Sequence, residues 1–343
     1  MPLKKQKEAY LYEKLAKRRV KCLNCAHYCE INPGSRGICG VRENKNGKLI
    51  ALNYGLAASV QIDPIEKKPL FHFLPGSQTL SVAAVGCNFS CLNCQNSEIS
   101  QTPKTDREIL GQELPPKEIV AMAKSYAIPS ISYTYVEPTI FSEYAFDTMK
   151  LAAASGIKNI WVTNGFLSKE VFDMVSPNLD AVNIDIKGFT DDFYQKNCGG
   201  GRLQPVLDTC KRMKETGIWT EITTLVIPAL NDSPAVFKNI AEFIAKELGK
   251  DVPWHVTRFS GLISWKLKQL PETPDKTLKL AHDIGMEAGL KYVYTGNIPS
   301  LPFENTMCPS CGELCIEREG YIIDRYDLKG KCPACGKDLN IIE

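Results

Sequence analysis

The chain has 343 residues, with 41 Lys and Arg against 39 Asp and Glu and a hydrophobic fraction of 44%. A net charge of +2 argues against a nucleic-acid wrapper or a binder of anionic membranes, and the apolar content excludes wholesale disorder. The length suits two or three domains, no run approaches the ~18 apolar residues of a membrane span, and the segment from Met1 to Lys7 is not followed by the apolar core of a secretory signal. Fourteen cysteines in such a chain point to a reducing compartment, the cytoplasm, and to thiols that bind metal rather than pair as disulfides.

Residues 6–20 are charged, with Ala9, Leu11, Leu15 and Ala16 roughly on one side, and predict a short N-terminal helix. Cys22, Cys25, Cys29 and Cys39 follow. Four thiolates at this spacing suit either a closed zinc site or an iron–sulfur cluster, although the spacing differs from the ferredoxin run. Residues 49–62 predict one or two strands. Pro64, Pro69, Pro75 and Gly76 then mark a boundary, so residues 1–75 read as a Cys-rich module with linker strands.

Over 76–300 the pattern becomes regular. Apolar, β-branched runs at 79–86, 130–136, 159–163, 180–186, 219–227 and 252–258 alternate with helical patterns at 116–126, 140–155, 168–175, 203–217, 234–248 and 274–289. Ser168, Ser233 and Pro274 stand at helix starts, and Gly156, Gly217, Gly249 and Gly289 at helix ends. This alternation predicts an α/β fold with a parallel sheet of right-handed βαβ units. Six units are fewer than the eight of a closed barrel, so a partial (β/α)6 barrel is expected, with an open doubly wound sheet as the alternative. Residues 301–343 read as a third, small module.

Cys87, Cys91 and Cys94 form a Cys-x3-Cys-x2-Cys loop after the first of these runs. Parallel α/β proteins place their chemistry at that end of their strands. A structural zinc site wants four protein ligands, whereas a cubane cluster on three cysteines leaves one iron open. Three core thiols, or a zinc site completed from elsewhere, are the plainer readings. Cys308, Cys311, Cys332 and Cys335 stand in two Cys-Pro-x-Cys-Gly knuckles and read as a zinc ribbon, with a rubredoxin-type iron as the alternative. Cys198 reads as a loop thiol beside three glycines that suggest flexibility or room for an anion. Cys210 reads as a core residue and Cys315 as a spectator.

The three-cysteine loop resembles the signature of the radical S-adenosylmethionine (SAM) superfamily. Further stretches resemble the radical SAM member of the AmmeMemoRadiSam system, a relative of the pyruvate formate-lyase activating enzymes. These are Phe71 to Ser77, Ser132 to Thr139, Trp161 to Gly165, Asn183 to Gly188, Leu225 to Asp232, Trp254 to Phe259 and Glu304 to Gly312. The resemblance implies a [4Fe–4S] cluster on Cys87, Cys91 and Cys94 whose open iron chelates SAM. It also implies an electron donor and the formation of a 5′-deoxyadenosyl radical. Glu137, Asn164, Asp185, Lys187 and His255 match SAM-contacting positions. Asn93 stands where relatives carry an aromatic residue against adenine. Memo-like and AMME-region-like partners are implied; the substrate is not. A glycyl-radical enzyme activase is the second reading, and a non-enzymatic zinc scaffold the third.

Overall fold

The computed structural model describes residues 7–298 and 303–343. The expected 300/301 boundary and the residues before Lys7 lie outside them. One sheet dominates. Its strands are β1 (Ser59–Pro64), β2 (Gln78–Ala83), β3 (Ser130–Tyr133), β4 (Lys158–Thr163), β5 (Ala181–Asp185), β6 (Trp219–Val226), β7 (Trp254–Arg258) and β8 (Val293–Gly296), side by side in chain order. From β2 to β8 all pairings are parallel. β1 is antiparallel to β2, with Asp63 opposite Thr79. The sheet therefore begins before the boundary expected near Gly76.

The helices are α1 (Ser97–Thr105), α2 (Pro116–Ser125), α3 (Ser142–Ala153), α4 (Lys169–Val175), α5 (Asp191–Asn197), α6 (Leu203–Glu215), α7 (Pro234–Phe243) and α8 (Asp275–Glu287). Caps set several of their starts: the Ser168 hydroxyl accepts from Val171 N at 3.1 Å, and the Thr190 hydroxyl from Phe193 N at 3.1 Å. Alternate strand residues such as Val82, Tyr133, Trp161, Ile184, Ile222 and Val256 share one core with the helices. The intervening residues, among them Ser81, Ser132, Asn183, Glu221, His255 and Tyr294, point to the other face, as the two-residue period of a strand requires. That face is crossed by residues 65–77: Asn183 Nδ2 donates to Pro69 O at 2.8 Å, and Glu221 accepts from Phe71 N and His72 N at 3.0 and 2.9 Å. Helices on one face only are unlike a doubly wound sheet, which is covered by helices on both.

The predicted N-terminal helix is not formed. Lys7–Glu8 and Tyr12–Lys14 are strands and Ala16–Arg18 is one 3-10 turn. Tyr12 pairs opposite Cys22 and Lys7 opposite Ala51, so neighbouring strands satisfy a backbone whose thin apolar stripe had little core to bury against. The C-terminal module is a three-stranded sheet, Thr306–Met307, Leu314–Glu319 and Ile322–Arg325. It packs against the 65–77 segment through Arg318 Nη2, which donates to Phe71 O at 2.9 Å, and through Ile342 N, which donates to His72 O at 2.8 Å. No helix among the described residues is long and apolar enough to cross a membrane.

Candidate metal and cofactor site

Cys87, Cys91 and Cys94 sit in the loop between β2 and α1, at the carboxyl edge of the parallel strands, and all three are half-buried. Ser90 N and Leu92 N donate to Cys198 O and Asn197 O, both at 2.9 Å, and Lys266 N donates to Leu92 O at 2.8 Å. From α1, Lys104 Nζ donates to Phe89 O at 2.7 Å and Ser90 Oγ at 2.9 Å, while Gln101 Nε2 donates to Phe89 O at 3.2 Å. Of the three glycines after Cys198, Gly199 and Gly201 serve close packing, while Gly200 has open space around it at a φ of +106°. A Cβ at Gly199 would come within 2.8 Å of Ser90 and one at Gly201 within 2.7 Å of the Phe89 ring.

Burial pushes the Cys87 thiol up to about 12, with the Lys104 charge pulling the other way. A bound cation reverses such a balance and holds thiolates. Cys91 lies within electrostatic reach of Cys87 and Cys94, yet no three sulfurs of this loop fall within 4.8 Å of one another. Three soft donors that are not drawn onto one centre fit a cubane of iron and sulfide better than a single zinc. Cys198 is fully buried in the main core and its thiol meets that of Cys91, a contact that sequence spacing does not reveal.

The residues matched to SAM contacts divide into two sets. Asp185, Lys187 and Asn93 are partly exposed beside the loop. Lys187 Nζ is 2.7 Å from Asp185 Oδ2. Burial opposes its charge, but Asp185 and Cys91 outweigh burial and hold the Lys187 pKa well above the ordinary lysine value. Asn183 Oδ1 and Thr223 Oγ1, on the same sheet face as Asp185, are buried without a hydrogen-bond partner, so this space suits a polar ligand.

Glu137, Asn164 and His255 are buried among protein partners. Glu137 Oε1 accepts from Thr139 N, Thr139 Oγ1 and Thr163 Oγ1 at 3.1, 2.5 and 2.7 Å, and Oε2 accepts from Asn164 N at 2.8 Å. Burial raises its pKa against those donors. Asn164 Nδ2 donates to Asn88 Oδ1 at 2.7 Å, which links Glu137 to the residue after Cys87. His255 is the second residue of β7 rather than its end, and its Nε2 lies 2.7 Å from Glu221 Oε2. Asn88, Gln101, Lys104 and Glu221 thus support the site. The one sequence signal for Glu221 is a carboxylate inside an otherwise uncharged strand.

The other cysteine groups differ in geometry. Cys308 Sγ lies 3.6 Å from Cys335 Sγ, Cys311 Sγ lies 3.6 Å from Cys332 Sγ, and all four sulfurs fall within 4.8 Å of one another. That fits a single tetrahedral ion, whose ~2.3 Å bonds set sulfurs about 3.8 Å apart. Cys315 is buried beside Cys332. Cys22, Cys25, Cys29 and Cys39 line one cavity together with His27, Arg42 and Asn88.

Comparison with known proteins agrees with this geometry. Residues 82–244 match the family model of the radical SAM superfamily. An uncharacterized protein of Methanocaldococcus jannaschii is 47% identical over 98% of this chain and 99% of its own length. A GTP 3′,8-cyclase of Listeria welshimeri is 25% identical over 69% of this chain and 75% of its own. A second M. jannaschii protein, named as a glycyl-radical enzyme activating enzyme, is 24% identical over 63% and 79%. A radical SAM methyltransferase of Sphaerobacter thermophilus shares the fold, with a TM-score of 0.51 at 16% identity over 71% of each chain. The chain contains a radical SAM superfamily domain.

Proposed function

We propose that this chain reductively cleaves SAM and uses the resulting 5′-deoxyadenosyl radical to take hydrogen from a substrate, within the AmmeMemoRadiSam system. The observation that carries the reading is the loop of Cys87, Cys91 and Cys94: three half-buried thiols not drawn onto one centre, at the carboxyl edge of a parallel sheet. A reduced [4Fe–4S] cluster bound there supplies one electron to the SAM sulfonium. Cys87, Cys91 and Cys94 would hold it as thiolates, one ligand fewer than its irons. Lys104 and Gln101 fix the loop from below. The Asp185–Lys187 pair presents opposite charges toward the space a zwitterionic methionine end would enter, beside the unpartnered Asn183 Oδ1 and Thr223 Oγ1. Asn93, at the position where relatives carry an aromatic residue, would meet the adenine. The helix-covered sheet is then the wall of a partial barrel, with residues 65–77 closing its inner face.

The wider assignment rests on the stretches that resemble the AmmeMemoRadiSam enzyme. It brings an electron donor and Memo-like and AMME-region-like partners, and zinc in the C-terminal four-cysteine site. The likeness to a protein named as a glycyl-radical activase favours a second reading, in which the hydrogen comes from a partner's glycine; a glycyl-radical EPR doublet on such a partner would establish it.

Electron paramagnetic resonance of the reconstituted, reduced chain tests the site. Adding SAM should change the spectrum of the wild type and leave that of Cys94→Ala unchanged. A wild-type spectrum indifferent to SAM would refute the open iron. A Memo-like protein that neither binds the chain nor alters its turnover would remove the system assignment.

A further inference from the structure

We propose that Cys22, Cys25, Cys29 and Cys39 hold a second [4Fe–4S] cluster, placed to pass electrons to the first. The chain carries its own comparison. The four C-terminal sulfurs close to within 4.8 Å of one another, as one tetrahedral ion requires, while no three of the N-terminal sulfurs do so. They are set around one cavity that all four line. A cubane binds each cysteine to a different iron, so the width of the cluster separates the sulfurs, whereas zinc draws all four onto one centre. The sulfurs of Cys87, Cys91 and Cys94 likewise do not all fall within 4.8 Å of one another.

Position supplies the role. The cavity reaches outward past half-buried Cys29 to Ile38, which is 51% exposed. Its inner wall includes Asn88, the neighbour of Cys87. His27 Nε2 lies 3.0 Å from Asn88 O, and the His27 ring packs 6.3 Å from that of Phe89. Gly86 lets the two modules approach: a Cβ there would fall 2.7 Å from Val41. The cavity lining thus includes both the exposed Ile38 and Asn88, the neighbour of Cys87. In the step it serves, a low-potential one-electron donor protein reduces the N-terminal cluster, and that cluster is reoxidised as the first is reduced. One electron moves, and no bond or proton changes place.

The cluster assignment stands alone; the relay rests on the proposed function. The full chain carrying Cys87→Ala, Cys91→Ala and Cys94→Ala together is reconstituted anaerobically with iron and sulfide, beside the wild type. Cubanes on four and on three cysteines give about eight iron and eight sulfide in the wild type and about four of each in the variant. The variant should keep one zinc per chain, which also reports that it folds. Two zinc and no iron in the variant, or two iron in place of four, would overturn the assignment. In the fully loaded, reduced wild type the two clusters should broaden each other's EPR signals, and the broadening should vanish in the variant. Spectra that simply add would overturn the relay and leave the second cluster standing. Loss of SAM cleavage in a chain holding all its iron would bear on the proposed function alone.

Discussion

Glu137 is a buried carboxylate that four donors from two turns converge on, and its second oxygen fixes the backbone of Asn164. Removing it strands those donors, at a cost on the order of 3 kcal/mol. Glu137→Ala should therefore lower the unfolding free energy from chemical denaturation by that amount, and Glu137→Gln by less. Unchanged stability with weakened SAM binding would make the residue a ligand contact instead. Cys198 needs a separate test because it touches Cys91. If three thiolates hold the first cluster, Cys198→Ala keeps its full iron content, whereas Cys91→Ala loses iron from that site; iron lost from Cys198→Ala would make it a fourth ligand. The cysteine groups were legible in the sequence because metal chemistry constrains both residue type and spacing. Asn88, Gln101 and Lys104 were not, because their roles arise only when α1 folds back beneath the loop.

Among the elements, most strands and helices followed from apolar periodicity with capping residues. α1 and α5 were missed. The first carries an internal Pro103 and no side-chain cap, and the second spans only seven residues, Asp191–Asn197. The 65–77 segment joins three parts of the molecule, and His72 is its joint: Nδ1 lies 3.0 Å from Leu339 O and Nε2 lies 2.6 Å from the Tyr294 hydroxyl. Burial lowers its pKa to about 4 from 6.5. Below pH 6.5 the unfolded chain takes up a proton that the folded chain refuses until about pH 4, so stability falls as the pH falls through that window. The loss approaches about 3 kcal/mol for this group. Denaturation midpoints of wild type and His72→Gln between pH 7 and pH 4 should show a shallower acid loss in the variant; parallel profiles would remove His72 as the cause. The N-terminal module is held by another joint, the buried pair Arg42–Glu143, with contacts at 2.6 Å from both Nη atoms. Glu143→Ala leaves a buried guanidinium uncompensated and should cost about 3–5 kcal/mol. A loss below 1 kcal/mol would show that this pair does not anchor the module.

At the scale of the whole molecule, three cysteine groups surround one parallel sheet and differ in how far their sulfurs spread. Spacing along the chain announced all three groups but left zinc and cluster open for the first, since sequence distance does not fix sulfur-to-sulfur distance. The relatives illustrate a similar limit for the reaction. Proteins named as a GTP cyclase and as a glycyl-radical activating enzyme match this chain at nearly equal identity, so likeness to them does not choose the substrate. The most direct measurement is 5′-deoxyadenosine release. The chain is reconstituted anaerobically with iron and sulfide, then given SAM and a strong reductant, with Cys91→Ala in parallel. The account predicts 5′-deoxyadenosine from the wild type and none above background from the variant. Equal release from both, or none from a wild type holding its full iron and supplied with its partner proteins, would contradict it.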